Sequence, residues 1–235
     1  MRVTILILLL VITLGCDIRY NLNSRFTLEA QITDGDAMQL ESISAEAYSG
    51  GLELPSSYLE ANKGLIFGSG NNRDDLISFG ETDSQGRVVL NFPPSKRGRN
   101  STGARFYLEL SDQHREKERS VILIEEDDFS NNYLQLQQIK LLNSSELVFL
   151  NIRDNIHGFE LLEYFFEGEI AYRILTVDAF ENPIRFKFSD SFRVKENQTL
   201  FINYKLKELS SDEIFEDRIA IDVGNENLEF IIQNP

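Results

Sequence analysis

Apolar and polar residues alternate through most of this chain. In RFTLEAQIT, Phe26, Leu28, Ala30 and Ile32 interleave with Thr27, Glu29, Gln31 and Thr33, which turns one set toward a core and the other toward water. The same two-residue period recurs at Phe106-Leu108-Leu110, Ile184-Phe186-Phe188, Leu200-Ile202-Tyr204-Leu206, Ile219-Ile221-Val223 and Leu228-Phe230-Ile232. Asp34-Gly35, Gly50-Gly51, Asp83-Ser84-Gln85-Gly86, Glu167-Gly168 and Asn182-Pro183 punctuate these runs with turn-forming residues. No segment keeps a helical period for long. Many short strands bounded by turns predict an all-β protein built of sandwiches or barrels.

The N-terminus departs from this pattern. Residues 1–15 run from Arg2 through an apolar stretch, Val3 to Leu14, to Gly15, the layout of a secretory signal peptide. The run is shorter than the roughly 20 residues needed to span a bilayer. Thr13-Leu14-Gly15-Cys16 resembles the bacterial lipobox, in which the signal is cut before a cysteine already carrying diacylglycerol. That resemblance implies that Cys16, the single cysteine of the chain, becomes the lipidated first residue and makes the membrane a partner. Ordinary secretion with a leftover thiol and a retained anchor helix are the alternatives. With no second thiol, disulfides contribute nothing and stability rests on core packing. Residues 16–25, including the stretch DIRYNLNSR, read as the lipidated N-terminus and a linker whose nine residues reach at most about 30 Å.

The stretch ISFGETDSQGRVVLNFPP, residues 77–94, reads as a β-hairpin. Asp83 accepts backbone N–H bonds in an Asx-type turn, Gly86 supplies a positive φ, and Val88, Leu90 and Phe92 form one face of the returning strand. Thr82-Asp83-Ser84-Gln85-Gly86 resembles the T-D-x-x-G signature of carboxypeptidase regulatory-like domains, which are transthyretin-like sandwiches. The match extends back to AQITDGDAMQLESISAEAY and forward to NNYLQLQQIKL, and so covers about residues 26–142. It implies a non-catalytic scaffold or binding module in which Asp83 and Gly86 serve the turn. A boundary at Asn143-Ser144-Ser145 opens a second β-sandwich, residues 143–235, which resembles an immunoglobulin-like fold in strand count.

Composition narrows the function classes. With 42% hydrophobic residues and 17 Phe the chain has the makings of a folded core. Its 38 Asp and Glu against 23 Lys and Arg give a net charge of −15, a field that repels nucleic-acid phosphates, so no nucleic-acid partner is expected. The run Glu125-Glu126-Asp127-Asp128 is either a solvated surface or a site for a hard cation. An enzyme is not expected. His114 and His157 lie in separate polar turns without metal-ligand spacing, no G-x-S-x-G elbow occurs, and the many carboxylates single out no pair. No catalytic residue, metal ligand or cofactor is assigned.

Two ring-bearing stretches are candidate contacts. The irregular segment 50–75 is either a flexible loop or a recognition loop, with Tyr58 and Phe67 as its contacts. In EYFFEGEIAYRI the rings of Tyr164, Phe165, Phe166 and Tyr172 serve either core and interdomain packing or a sugar or peptide platform, with Tyr164 and Phe166 as the contacts; Phe165 and Phe166, being adjacent, cannot both enter one core, so one is exposed or buried against the neighbouring domain. These features predict a lipid-anchored bacterial envelope protein, at the outer membrane and periplasmic or surface-facing. It would act as a non-catalytic binding or accessory module for a protein or glycan partner. The alternative is a fimbrial-type structural subunit that assembles by strand exchange.

Overall fold

A computed structural model describes residues 19–20, 25–49, 75–93, 95–96, 105–172, 174–187 and 190–235. Its strands are, in chain order, β1 (Arg19–Tyr20), β2 (Phe26–Thr33), β3 (Ile43–Ser49), β4 (Asp75–Glu81), β5 (Arg87–Phe92), β6 (Ser95–Lys96), β7 (Arg105–Asp112) and β8 (Ser120–Glu125), followed by β9 (Tyr133–Lys140), β10 (Leu147–Asn155), β11 (Phe159–Glu167), β12 (Ile174–Thr176), β13 (Asp190–Lys195), β14 (Gln198–Glu208), β15 (Ile214–Val223) and β16 (Leu228–Gln233). Helical structure among the described residues amounts to short 3-10 turns. The protein is all-β.

Its main sheets form two sandwiches, each around its own apolar cluster. The first packs a sheet of order β12-β8-β7-β3-β4 against one of order β5-β2-β9. Phe26, Leu28, Ala30 and Ile32 of β2 face Leu90 and Phe92 of β5, Leu108 and Leu110 of β7 and Ile122 and Ile124 of β8 in this core. The second packs β13-β10-β16 against β11-β14-β15 around Leu150, Ile152, Tyr164, Ile202 and Leu206. Both sandwiches close in the same way, with the first strand pairing in parallel with the last, β2 with β9 and β10 with β16. Part of the segment read as a linker is itself paired, since Arg19–Tyr20 runs antiparallel to Ser95–Lys96.

One turn design recurs three times in the first sandwich. Asp34 Oδ1 accepts the N–H groups of Asp36 and Met38, Asp83 Oδ1 those of Gln85 and Arg87, and the Asp112 carboxylate those of His114, Glu116 and Lys117. Three residues after each aspartate the backbone turns left-handed, at Ala37 (φ 62°), Gly86 (φ 70°) and Arg115 (φ 59°). Each carboxylate is therefore tied to the folded state. Backbone bonds from Arg87 and Gln85 hold the Asp83 carboxyl below its ordinary value. At Asp112 burial pushes upward, but the three backbone N–H groups outweigh it and the net shift is also downward.

The predicted hairpin at Asp83 is corrected on the far side of the turn. The Asp83 N–H still bonds the Arg87 carbonyl at 2.9 Å, but β4 and β5 then enter different sheets. The Thr82 hydroxyl accepts the Ile43 N–H at 2.9 Å and donates to the Leu40 carbonyl at 2.6 Å, which holds the β4 side to β3. The Gly86 carbonyl accepts the Ile32 N–H at 2.8 Å, which hands the outgoing chain to β2. The T-D-x-x-G residues thus make the corner between two sheets. The expected strand at Ile184-Phe186-Phe188 also differs: Phe186 makes an isolated bridge with Tyr164 and inserts its ring into the second core.

The two sandwiches are joined by more than a linker. Strand β12 leaves the second half of the chain and adds to the first sandwich, running parallel to β8 with Ile174 opposite Val121. Leu175, Val177 and Phe180 then pack against the first core.

Candidate functional site

Charged pairs reinforce that junction. Lys195 of β13 places Nζ 3.1 Å from Asp36 Oδ1, in the first aspartate turn, and 3.2 Å from Glu169 Oε2. Lys140 of β9 reaches the other oxygen of Glu169 at 2.8 Å. Arg193 pairs with Glu118 and donates to the Ser144 carbonyl at 3.1 Å, while the Ser144 hydroxyl bonds Glu118 at 2.8 Å. A side chain at Gly35 would meet the ends of the Glu169 and Lys195 side chains at 2.9 Å and so would displace their ion pair.

The Asp36 hydrogen bond raises the Lys195 ammonium above its ordinary value, with partial burial opposing and Glu169 assisting. A raised lysine contributes stability that is complete below the unfolded value near 10.4 and is lost as pH rises through the higher folded value. Lys195→Met is therefore expected to lower stability at neutral pH by about 0.5–1 kcal/mol, a range set by the exposure of Asp36. The gap from the parent should narrow above about pH 10.5 as the parent lysine loses its proton. Urea titrations across that range measure it, and a gap independent of pH would remove the ion pair from the account.

The outer face of the β11-β14-β15 sheet carries a groove of about 300 Å³, lined in part by Glu163, Phe165, Asn203, Lys205, Glu216 and Arg218. Strand register builds it: Phe165 lies opposite Asn203, and Asn203 opposite Arg218. Arg218 donates to both oxygens of Glu167, at 2.7 and 3.3 Å, and lies 3.6 Å over the Phe201 ring centroid. Asn203 Nδ2 bonds Glu167 at 2.9 Å. Lys205 sits 2.8 Å from Glu216 and 3.6 Å from Glu163, and Glu163 also pairs with Arg185, whose guanidinium lies 5.3 Å over Phe165. Tyr204 donates to Asp217 at 3.1 Å; burial first, then that carboxylate, pushes its hydroxyl up to about 12. Arg218 and then Asn203 hold Glu167 below its usual value, and Glu216 raises Lys205. The groove thus offers a ring and a mixed set of donors and acceptors in which Lys205 and Arg218 already face carboxylates.

The expected contact residues fall elsewhere. Tyr58, Phe67 and Cys16 lie outside the described residues, as do the signal segment and most of the 50–75 stretch. Tyr164 and Phe166 are 0% and 8% exposed, packed in tilted and edge-to-face contacts with Phe186 and Phe192 in the second core, and neither offers a ring to a ligand. Their neighbour Phe165 takes the outer face. The signal that distinguishes them was present: Glu163 and Glu167 share the parity of Phe165, and charged residues mark the solvent side of a strand. Lys205 and Arg218 carried no comparable mark, because their place beside Phe165 depends on which strands pair.

His114 and His157 occupy separate turns, with backbone N–H groups bonded to Asp112 and Asn234. The Glu125–Asp128 run forms a 3-10 turn closed by its own carboxylates. Among the described residues no group of three or more His, Cys, Asp or Glu side chains is placed to hold a metal ion.

No protein-family model matches the chain, and no curated protein matches it. Among solved structures it resembles a D295N mutant of the shaft pilin SpaA from Lactobacillus rhamnosus GG, with a TM-score of 0.37 and 7% identity over 90% of this chain and 99% of that one. The minor pilin of Streptococcus agalactiae scores 0.26 with 10% identity, over 89% of this chain and 95% of that one. A 3-chlorocatechol 1,2-dioxygenase from Rhodococcus opacus 1CP scores 0.30 with 10% identity, over 51% of this chain and 60% of that one. Pilins and an enzyme thus share the loose likeness. At these scores it carries no argument about activity, and the β-sandwich description stands on the strand pairing above.

Proposed function

We propose that this chain is a non-catalytic structural or adhesive module of a bacterial cell surface, moored by lipid on Cys16 and facing the periplasm or the exterior. In this reading residues 26–142 form the carboxypeptidase regulatory-like sandwich, to which Ile174–Thr176 add a strand, and the rest of residues 143–235 the immunoglobulin-like one. The observation that supports it is the junction: β12 completes a sheet of the neighbouring sandwich, and Lys195, Lys140 and Arg193 fasten the two. A two-sandwich body stiffened in this way suits a part that holds a surface at a set distance from its anchor. Growth with labelled fatty acid followed by envelope fractionation tests it. The parent chain should carry label and sediment with membranes, and Cys16→Ala should lose both; an unlabelled, freely soluble parent overturns the reading.

Strand exchange is the second reading. It requires a first strand that can leave its sheet, whereas β2 is central, paired antiparallel with β5 and in parallel with β9. Withdrawing it would open both ladders and the core beneath. High-mass ladders on gels of unheated envelope fractions would favour this reading regardless.

A further inference from the structure

We propose that the groove on the β11-β14-β15 face is a binding subsite for a neutral glycan, with Phe165 as its stacking ring and Asn203, Lys205, Glu216 and Arg218 as its polar contacts. The proposal deepens the adhesive reading and rests on it only for the setting in which glycans are met. Its volume of about 300 Å³ lies at the lower end of ligand clefts, suited to a short stretch of sugar rather than a buried cofactor.

The chemistry of the lining selects the ligand. Every cation among the residues named for the groove already faces a carboxylate: Lys205 faces Glu216 and Glu163, and Arg218 faces Glu167. An anionic ligand would have to displace those partners and approach a chain of net charge −15. A cation would have to displace Lys205 or Arg218. An apolar ligand would strip water from the charged walls without replacing its hydrogen bonds.

A neutral polyol avoids all three costs. Its hydroxyls donate to the spare lone pairs of Glu163 and Glu216, since an ionised carboxylate has roughly four acceptor sites and an ion pair uses few of them. They accept from Asn203 and Lys205, and the C–H face of a sugar ring lies against the part of the Phe165 ring that lines the groove, Arg185 sitting 5.3 Å over the ring as well.

An extended peptide is the competing ligand, and the geometry disfavours it. Peptides gain affinity on sheets by adding to an edge, where backbone N–H and C=O groups are free. This groove lies on a sheet face, and the backbone groups of β14 beneath it are committed to β11 and β15 on either side. What the groove presents is side chains.

The test is a titration of the full chain, held in a sugar-free detergent, with cellohexaose, maltohexaose and chitohexaose, followed by heteronuclear NMR and calorimetry. At least one of the three should shift resonances of Phe165, Asn203 and Arg218. Phe165→Ala should weaken that binding about tenfold or more, as expected for loss of an anchoring ring. Asn203→Ala, which removes no core atom, should weaken it as well. Phe79→Ala, at a ring 77% exposed on the first sandwich, should leave it unchanged. Absence of groove shifts with all three sugars overturns the proposal, as does binding that survives Phe165→Ala in a folded protein. Groove shifts with an extended test peptide but no sugar would also overturn it. Because these measurements do not depend on where the chain resides, their failure leaves the lipid-anchor result standing, and the reverse.

Discussion

Gly86→Ala is expected to destabilise the first sandwich by about 2–4 kcal/mol, since it combines a strained backbone with a collision. Gly86 has a φ of +70°, and a Cβ there would lie 2.4 Å from the Ile32 carbonyl oxygen, 3.2 Å from the Gln39 Cβ and 3.3 Å from the Leu40 nitrogen. The nearest of these is backbone: the Ile32 carbonyl accepts the Leu40 N–H at 3.1 Å, and the Ile32 N–H is bonded to the Gly86 carbonyl itself. Relief requires β2 and β5 to separate at the corner that passes the chain between sheets. The related turns provide the control. Ala37 and Arg115 hold the same left-handed place without being glycine, so Ala37→Gly should shift the urea midpoint far less. Equal midpoints for Gly86→Ala and the parent would show that the corner is looser than its geometry implies.

Tyr164→Ala is expected to cost about 3–5 kcal/mol, the range for emptying an aromatic site in a packed core, while Phe165→Ala costs less than about 1.5 kcal/mol. Tyr164 is wholly buried, with its ring centroid 5.6 Å from Phe166, 5.4 Å from Phe186 and 6.2 Å from Phe192. Its backbone also exchanges two 2.8 Å hydrogen bonds with Phe186, which fix the irregular segment to the edge of β11. A cavity at Tyr164 therefore loosens the segment that carries Phe186 as well as the cluster of rings. The effect should extend to the first sandwich, because β12 follows β11 and completes the sheet at β8. Loss of near-ultraviolet circular dichroism at lower urea for Tyr164→Ala, with little change for Phe165→Ala, is the expected pattern. Similar losses for both would contradict the assignment of their faces.

That pair of neighbouring rings shows how far the pattern of residues reaches. The sequence states that Tyr164 and Phe166 point one way and Phe165 the other, and Glu163 and Glu167 indicate which way is out. It does not place Phe165 beside Asn203 and Arg218, which lie on strands more than thirty residues away. The same holds at the Thr82-Asp83-Ser84-Gln85-Gly86 turn. Its local bonds follow from the residue types, yet whether the strands on either side of it pair with each other or part depends on β2 and β3. Phe186 marks the opposite failure. The alternation around it is that of a strand, but the chain there serves as a plug for the second core.

The amino-acid order by itself determined the all-β character, the two-residue alternation of the long strands, the Asx-type turn at Asp83 and the acidic composition. Each of these arises from bonds and side-chain directions within a few residues. The tertiary structure alone decided which sheet each strand joins, the parallel closure of both sandwiches, the transfer of β12 and the groove over Phe165. The backbone hydrogen bonds of a ladder are alike for any partner, so partner choice is left to the shape of the packed core and to charges brought together from distant parts of the chain.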